Sequence, residues 1–261
     1  MLKIKDILVD WINLLIYPFL SFLLIFLIWE LSVNYIGVQK HLIPRPSEVV
    51  TNIFLNFGHF FLNSFYTFFE SLLGFILGSA FGILLAILIL FNKNIEKTLL
   101  PAAVLLKVTP IIAYAPLLVI WFGFGIFPKI IISAVVVFFP VLINTLNGLQ
   151  LVDKDITDFF DSISASRSEM LFKIRIPNAF PYIFSAFRIT LPMAIVGATI
   201  GEYFSGGDKG LGSLIFVASY GLDVVTLFSC ALILAIISMI LILCLNHIEK
   251  KIIKWQFQDH S

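Results

Sequence analysis

Few residues in this chain have types and spacings that suggest chemistry. No metalloprotease HExxH, no nucleophile-elbow GxSxG and no phosphate-cradling GxxxxGKS occurs, so no catalytic set and no metal-ligand cluster can be assembled from the text. The histidines His41, His59, His247 and His260 are dispersed. Cys230 and Cys244 share one apolar segment, where a helix holds them about 21 Å apart, beyond disulfide reach. Three charges are more telling, because they interrupt apolar runs: Glu70, Lys107 and Arg188. A charge inside a membrane is costly unless it faces a bundle interior, water or a partner. Two chemistries fit these three. One is a structural ion pair of Glu70 with Lys107 or Arg188; the other is an anion grip in which Lys107 or Arg188 helps hold an anionic group. Glu202, followed by Tyr203 and Gly206-Gly207-Asp208-Lys209, reads as the start of a turn at an outer mouth. Finally, Ser166 and Glu169 form S-x-x-E, the spacing of a helix-starting capping box.

The elements that must position these residues follow from composition. The chain has 261 residues, 60% hydrophobic and 13% charged, with a mean hydropathy of +1.03. A soluble domain carries roughly 25% charge, so a soluble globular enzyme, a disordered chain and a disulfide scaffold are excluded. A net charge of +1 gives no basic excess for nucleic acid. The remaining class is an all-α integral membrane protein. About six spans are expected, at 12–33, 64–91, 98–120, 129–149, 179–201 and 224–247. The runs are too long and too uniformly apolar for barrel strands. The first is too long for a signal-peptide core and reads as a retained span. Pro110, Pro116, Pro140 and Pro192 fall inside spans and should bend them. With the N-terminus inside, eleven of the Lys and Arg residues lie on the cytoplasmic side and four (Lys40, Arg45, Lys129, Lys209) outside, so both termini are placed in the cytoplasm. Residues 42–62, opening on Pro44 and Pro46, suggest a short helix at the outer interface.

Cytoplasmic polarity is concentrated in residues 150–178. Ile156, Phe159, Phe160 and Ile163 follow helical spacing, the pattern breaks at Ser164-Ala165-Ser166, and a second helix starts at the capping box and ends at Pro177, which can open the next span at its first turn. Periodicity leaves two readings open: a connecting loop lying on the membrane, or an element that docks in a groove of a soluble partner.

At this loop the sequence resembles the permease subunits of bacterial ABC importers. Their signature is EAA, three residues, Gly, nine residues, Ile, one residue and Leu-Pro. Here the EAA position falls on Asp158-Phe159-Phe160, the Gly on Ser164, the Ile on Ile174 and the Leu-Pro on Ile176-Pro177. The acid, Ile and Pro are kept in kind, whereas both alanines and the glycine are replaced. Residues 107–149 and 176–203, GLGSLI at 210–215 and LIPRPSEV near 42–49 resemble the nitrate/sulfonate/taurine-type members.

The resemblance implies the type I importer (MetI-like) architecture. It places residues 1–60 as first span and outer linker, 61–255 as the permease domain with its coupling loop at 150–178, and 256–261 as a cytoplasmic tail. It also implies a bacterial inner-membrane location, a separate ATPase that binds the ATP, a periplasmic or lipid-anchored substrate-binding protein and a second permease copy. Asp158, Phe159, Phe160, Ser164, Ala165, Ser166, Arg167, Glu169, Ile174 and Pro177 then become the ATPase-coupling residues. The chain itself binds no cofactor in this reading. A secondary transporter and a non-transporting scaffold are the competing classes; the first predicts inverted repeats, and none is visible.

Overall fold

A computed structural model describes residues 20–21, 23–35, 42–206 and 209–253, and among them every regular element is helical. The order is α1 (Leu23–Tyr35), then α2 (Pro46–Leu55), α3 (Phe57–Phe91), α4 (Lys93–Val108), α5 (Ile111–Phe122), α6 (Ile126–Gln150), α7 (Lys154–Ser162) and α8 (Arg167–Met170). A π-helical turn, Leu171–Arg175, leads into α9 (Ile176–Ser205), followed by α10 (Leu211–Tyr220) and α11 (Val224–Ile252). The N-terminal part of the expected first span and the 256–261 tail lie outside the described residues.

Among the described residues four helices are long and apolar enough to cross a membrane: α3, α6, the continuous helix Arg167–Ser205, and α11. Within Arg167–Ser205 the membrane-crossing part is α9; α8 and the π turn carry Arg167, Glu169, Lys173 and Arg175 ahead of it. The expected third span is one apolar segment broken by 101° between α4 and α5. Thr109 and Pro110 form the break. Thr109 closes α4 in an extended conformation, and Pro110 precedes α5 at ψ 129°. A residue before proline is driven out of the helical region, and proline itself donates no hydrogen bond. Pro116, Pro140 and Pro192 stay within α5, α6 and α9.

The core is the triangle α3, α6 and α9. On α3, Gly74, Gly78 and Gly82 recur every four residues and form one small-residue stripe against α6. A Cβ on Gly82 would lie 2.9 Å from the Phe138 carbonyl oxygen, and one on Gly78 would lie 2.9 Å from Val137 Cβ. Only bare backbone fits there. The stripe brings Leu142, Val141 and Val137 of α6 to full burial. Ser133 on α6 donates its hydroxyl to the Ala194 carbonyl of α9 at 2.9 Å, joining the third side. Towards the C-terminal end of α6, Ile89, Leu142, Leu149 and Ala179 close the core.

The 42–62 segment behaves largely as its prolines suggest. Pro46 opens α2, and the Arg45 backbone N–H donates to the Glu48 side chain at 3.2 Å, which caps the helix start from its third position. The helix is shorter than the amphipathic stretch, since Phe57–Leu62 already belong to α3. Glu30 of α1 accepts from the Ser47 backbone N–H at 3.1 Å and from its hydroxyl at 2.9 Å, tying α1 to α2. The tight 92–97 connection reduces to Asn92, whose side chain caps α4 by accepting from the Asn94 N–H at 2.9 Å.

Candidate functional site

The elbow after α6 is built from local signals. Asp153 caps α7, its side chain accepting the Asp155 N–H at 3.0 Å. α7 ends in a Schellman motif: the Ser164 N–H donates to the Asp161 carbonyl and the Ala165 N–H to the Phe160 carbonyl, both at 3.0 Å. The motif needs a left-handed residue, and Ser164 supplies it at φ +56°. This is the position that the importer signature gives to glycine. A side chain there costs roughly 1–2 kcal/mol relative to the right-handed region, a cost glycine avoids.

The capping box forms as its spacing predicts. Ser166 Oγ accepts the Glu169 N–H at 3.2 Å, while Glu169 Oε2 accepts from the Ser166 N–H and hydroxyl, each at 3.0 Å. Lys173 Nζ donates to Glu169 Oε1 at 2.9 Å. The Lys173 bond, with the Ser166 backbone and hydroxyl bonds, lowers the Glu169 carboxyl from its ordinary range to about 2. A lowered carboxyl stabilises the fold above its unfolded value near 4.5 and loses that contribution as the pH falls towards 2. The box is therefore intact throughout the physiological range.

Pro177 lies in the first turn of α9, where a proline can open a span, but it does not end the second helix as expected. It sits at the second residue of α9, and the helix runs unbroken from Arg167 to Ser205. The π turn explains this. The Ile176 N–H donates to the Leu171 carbonyl, five residues back, in the widened turn just ahead of Pro177. Proline cannot donate to the Lys173 carbonyl and its ring crowds that group, so the extra residue in the turn accommodates it.

Two residues that the sequence did not flag fix the elbow to the core. Arg175 Nη1 donates to the Leu149 carbonyl at 2.9 Å. Asn178 Nδ2 donates to the Gly148 and Leu151 carbonyls, both at 2.9 Å. These are carbonyls at the open C-terminal end of α6, which otherwise have no intrahelical donor. The available clue was position: two polar residues flank the Ile-Pro pair where α6 and α9 must converge. Residue Gly148 also admits Ala179, whose Cα would lie 2.8 Å from a Cβ added there.

α7 itself stands clear of the bundle. It buries no residue, and Ile156, Phe159 and Ile163 are 45%, 59% and 57% exposed. Asp158, Ser164, Ser166, Arg167 and Glu169 are exposed as well, while Phe160, Ala165, Ile174 and Pro177 are half-buried. A groove of about 490 Å³ runs between the elbow and the α3–α4 junction, lined by Lys93, Asp161, Ala165, Arg167 and Arg175 among others.

The charges within the spans are partnered differently from the expected pairings. Glu70 meets neither Lys107 nor Arg188: its Oε1 accepts from Lys129 Nζ at 3.0 Å, with both residues buried. Lys129, counted above as an outer-loop cation, is held inside because Gly201 of α9 lets its backbone approach; a Cβ on Gly201 would lie 2.8 Å from Lys129 Cα. Arg188 pairs instead with Glu249 of α11, donating from both Nε and Nη2 to Glu249 Oε2. Lys107 is exposed, its ammonium 5.0 Å from the Phe139 ring centroid. Glu202 does not lie open at a mouth but is fully buried: Oε1 accepts from the Thr67 hydroxyl at 2.7 Å and Oε2 from the Gly212 N–H at 2.6 Å. An acid four residues before a Gly-Gly turn gives no sign in the sequence that the chain will fold back over it.

The chain thus combines a three-helix core, an exposed amphipathic elbow pinned to two of those helices, and paired charges between its long apolar helices. Residues 78–254 match the family described as the binding-protein-dependent transport system inner membrane component. The chain belongs to this family, the permease components of ABC importers. It is 30% identical to the formylaminopyrimidine transport permease protein ThiX of Halalkalibacterium halodurans, over 92% of this chain and 95% of that one. It is 33% identical to a probable ABC transporter permease protein of Haemophilus influenzae, over 87% and 92% of the two chains. A putative aliphatic sulfonates transport permease protein, SsuC of Bacillus subtilis, is 29% identical over 88% and 83%. In fold, the chain resembles a chain of the MetNI methionine ABC transporter in its inward-facing conformation, with a TM-score of 0.61 over 77% of this chain and 98% of that one, at 18% identity.

Proposed function

We propose that this permease uses residues 153–176 as its docking element on a separate ATP-hydrolysing subunit, and that both termini lie on the cytoplasmic side with that element. The observation that carries the proposal is α7: it has an exposed apolar face of Ile156, Phe159 and Ile163 and contributes nothing to its own chain's core. Such a face suits a partner groove. The bonds from Arg175 and Asn178 make the elbow a lever, because any push on α7 and α8 reaches α6 and α9 together. ATP is bound by the partner, and closure of the ATPase is transmitted through the elbow to switch the pathway between inward- and outward-facing states. A substrate-binding protein delivers the solute, and a second copy of the chain completes the pathway.

The solute is a small organic molecule or oxyanion. Support comes from relatives named for formylaminopyrimidine, aliphatic sulfonates, riboflavin, taurine and bicarbonate. Lys107 and Arg188 are poor anchors for an anionic substrate. Arg188 is engaged by Glu249 and Lys107 lies over Phe139.

The test is capture of the cognate ATPase by the purified chain. Charge reversal or deletion within 158–169 is expected to abolish capture while leaving membrane insertion unchanged. Undiminished capture after that deletion would remove the docking role.

A further inference from the structure

At the end of the bundle opposite the elbow, three ionisable groups from three helices meet away from solvent. Glu70 of α3, Lys129 of α6 and Glu202 of α9 are 2%, 5% and 0% exposed. Lys129 donates to Glu70 Oε1 at 3.0 Å and to the Lys209 carbonyl at 3.3 Å. Glu202 reaches the same pocket, because the hydroxyl of Thr67, one turn before Glu70 on α3, donates to Glu202 Oε1 at 2.7 Å. Yet Glu70 Oε2 is buried with no N–H or O–H donor.

Glu202 is already committed to one structural task. The first backbone N–H groups of α10 need acceptors, as at any helix start. The Gly210, Leu211 and Gly212 N–H groups donate to Asn63 Oδ1 at 2.8 Å, Thr67 Oγ1 at 2.8 Å and Glu202 Oε2 at 2.6 Å. The Thr67 hydroxyl in turn donates a hydrogen bond to Glu202 Oε1. Asn63, Thr67 and Glu70 lie on one face of α3, so this face seats the head of α10.

Charge bookkeeping exposes what is missing. Two carboxylates against one ammonium leave a net negative charge in a site closed to water. Among the described residues, the other groups that face it do not balance that charge. The start of α10 contributes roughly half a positive charge. Cys230 on α11 and Asp223 ahead of it add no cation, and Lys209 is turned to the Tyr66 hydroxyl at 3.0 Å. Two carboxylates sharing one buried pocket repel strongly, and such pairs elsewhere share a proton.

We infer that Glu70 and Glu202 form a resident-proton site, in which Glu202 is a neutral acid donating to Glu70 Oε2 while Glu70 remains the carboxylate paired with Lys129. One proton satisfies every atom. Glu70 Oε2 gains its donor, Glu202 still accepts from Thr67 and Gly212, and the triad becomes electrically neutral. The site holds the head of α10 against α3, α6 and α9, and it is independent of the elbow's docking role.

Infrared spectroscopy of the full-length protein in lipid nanodiscs tests this. The carbonyl stretch of an un-ionised carboxylic acid is expected at pH 7.5, where the exposed carboxyls are ionised. The band should be lost in Glu202→Gln. Its absence from the wild-type protein would overturn the proposal, as would its full retention in folded Glu202→Gln. If Glu202→Gln does not fold, Thr67→Val decides the matter: removing the hydroxyl that bonds to Glu202 Oε1 should raise the band's frequency without abolishing it. An unshifted band in Thr67→Val would assign the acid elsewhere and refute the site.

Discussion

Lys129 Nζ and Glu70 Oε1 stand 3.0 Å apart between α6 and α3, with side chains 6% and 2% exposed. Removing one member of such a buried pair strands the other and costs about 3–5 kcal/mol. Lys129→Met should therefore destabilise the fold by that order. Glu70→Gln combined with Lys129→Met should recover much of the loss. Thermal unfolding in detergent checks this, with the double mutant expected to melt above Lys129→Met.

The pairing of Arg188 with Glu249 is lopsided, since their side chains are 47% and 8% exposed. Losing Arg188 leaves a buried carboxylate, whereas losing Glu249 leaves a cation that can reach solvent. Arg188→Gln should destabilise by about 1.5–3 kcal/mol, the range for a hydrogen bond to a charged group. Glu249→Gln should cost less. Equal melting shifts for the two variants would contradict the ordering.

These two pairs also show what the text of the chain could and could not reveal. The helical class and most spans are legible because apolar runs report directly on helices in a membrane. The capping box at Ser166 and Glu169 is legible because it is a local spacing. Partner choice is not local. Glu70 finds Lys129 rather than Lys107 or Arg188 because Gly201 admits the Lys129 backbone, and Glu202 is buried because residues 209–212 fold over it. The GxxxGxxxG stripe of α3 was a readable signal for helix packing. The 101° break at Thr109–Pro110 falls where Pro110 interrupts the third apolar run, a bend that a proline inside a span makes legible.

Ser164 tests the strain in the elbow. Ser164→Gly should stabilise α7 by relieving its φ of +56°, by up to about 1–2 kcal/mol, less the flexibility glycine adds to the unfolded chain. Ser164→Val, β-branched at the same angle, should loosen the elbow. Amide hydrogen exchange over 154–165 reads both changes, with slower exchange expected for Gly and faster for Val.

The stripe on α3 makes a sharper demand. Gly78→Leu inserts a large side chain where even a Cβ would sit 2.9 Å from Val137 Cβ. Overpacking of this kind costs 1–3 kcal/mol or more, so the variant should lose folded yield. Gly58→Leu, at a position with nothing within 4 Å, should leave yield unchanged. Fluorescence-detected size-exclusion chromatography of the two variants separates packing from helix propensity.

The side of the membrane that the elbow occupies decides whether it can meet an ATPase at all. A cysteine at Ser168, beside Arg167 and Glu169, in a chain with Cys244 replaced by serine, can be challenged with a membrane-impermeant maleimide. Labelling is expected in inside-out vesicles and not in intact right-side-out cells. Labelling from the outer side alone would put the elbow beyond reach of any cytoplasmic ATPase and contradict its role in coupling.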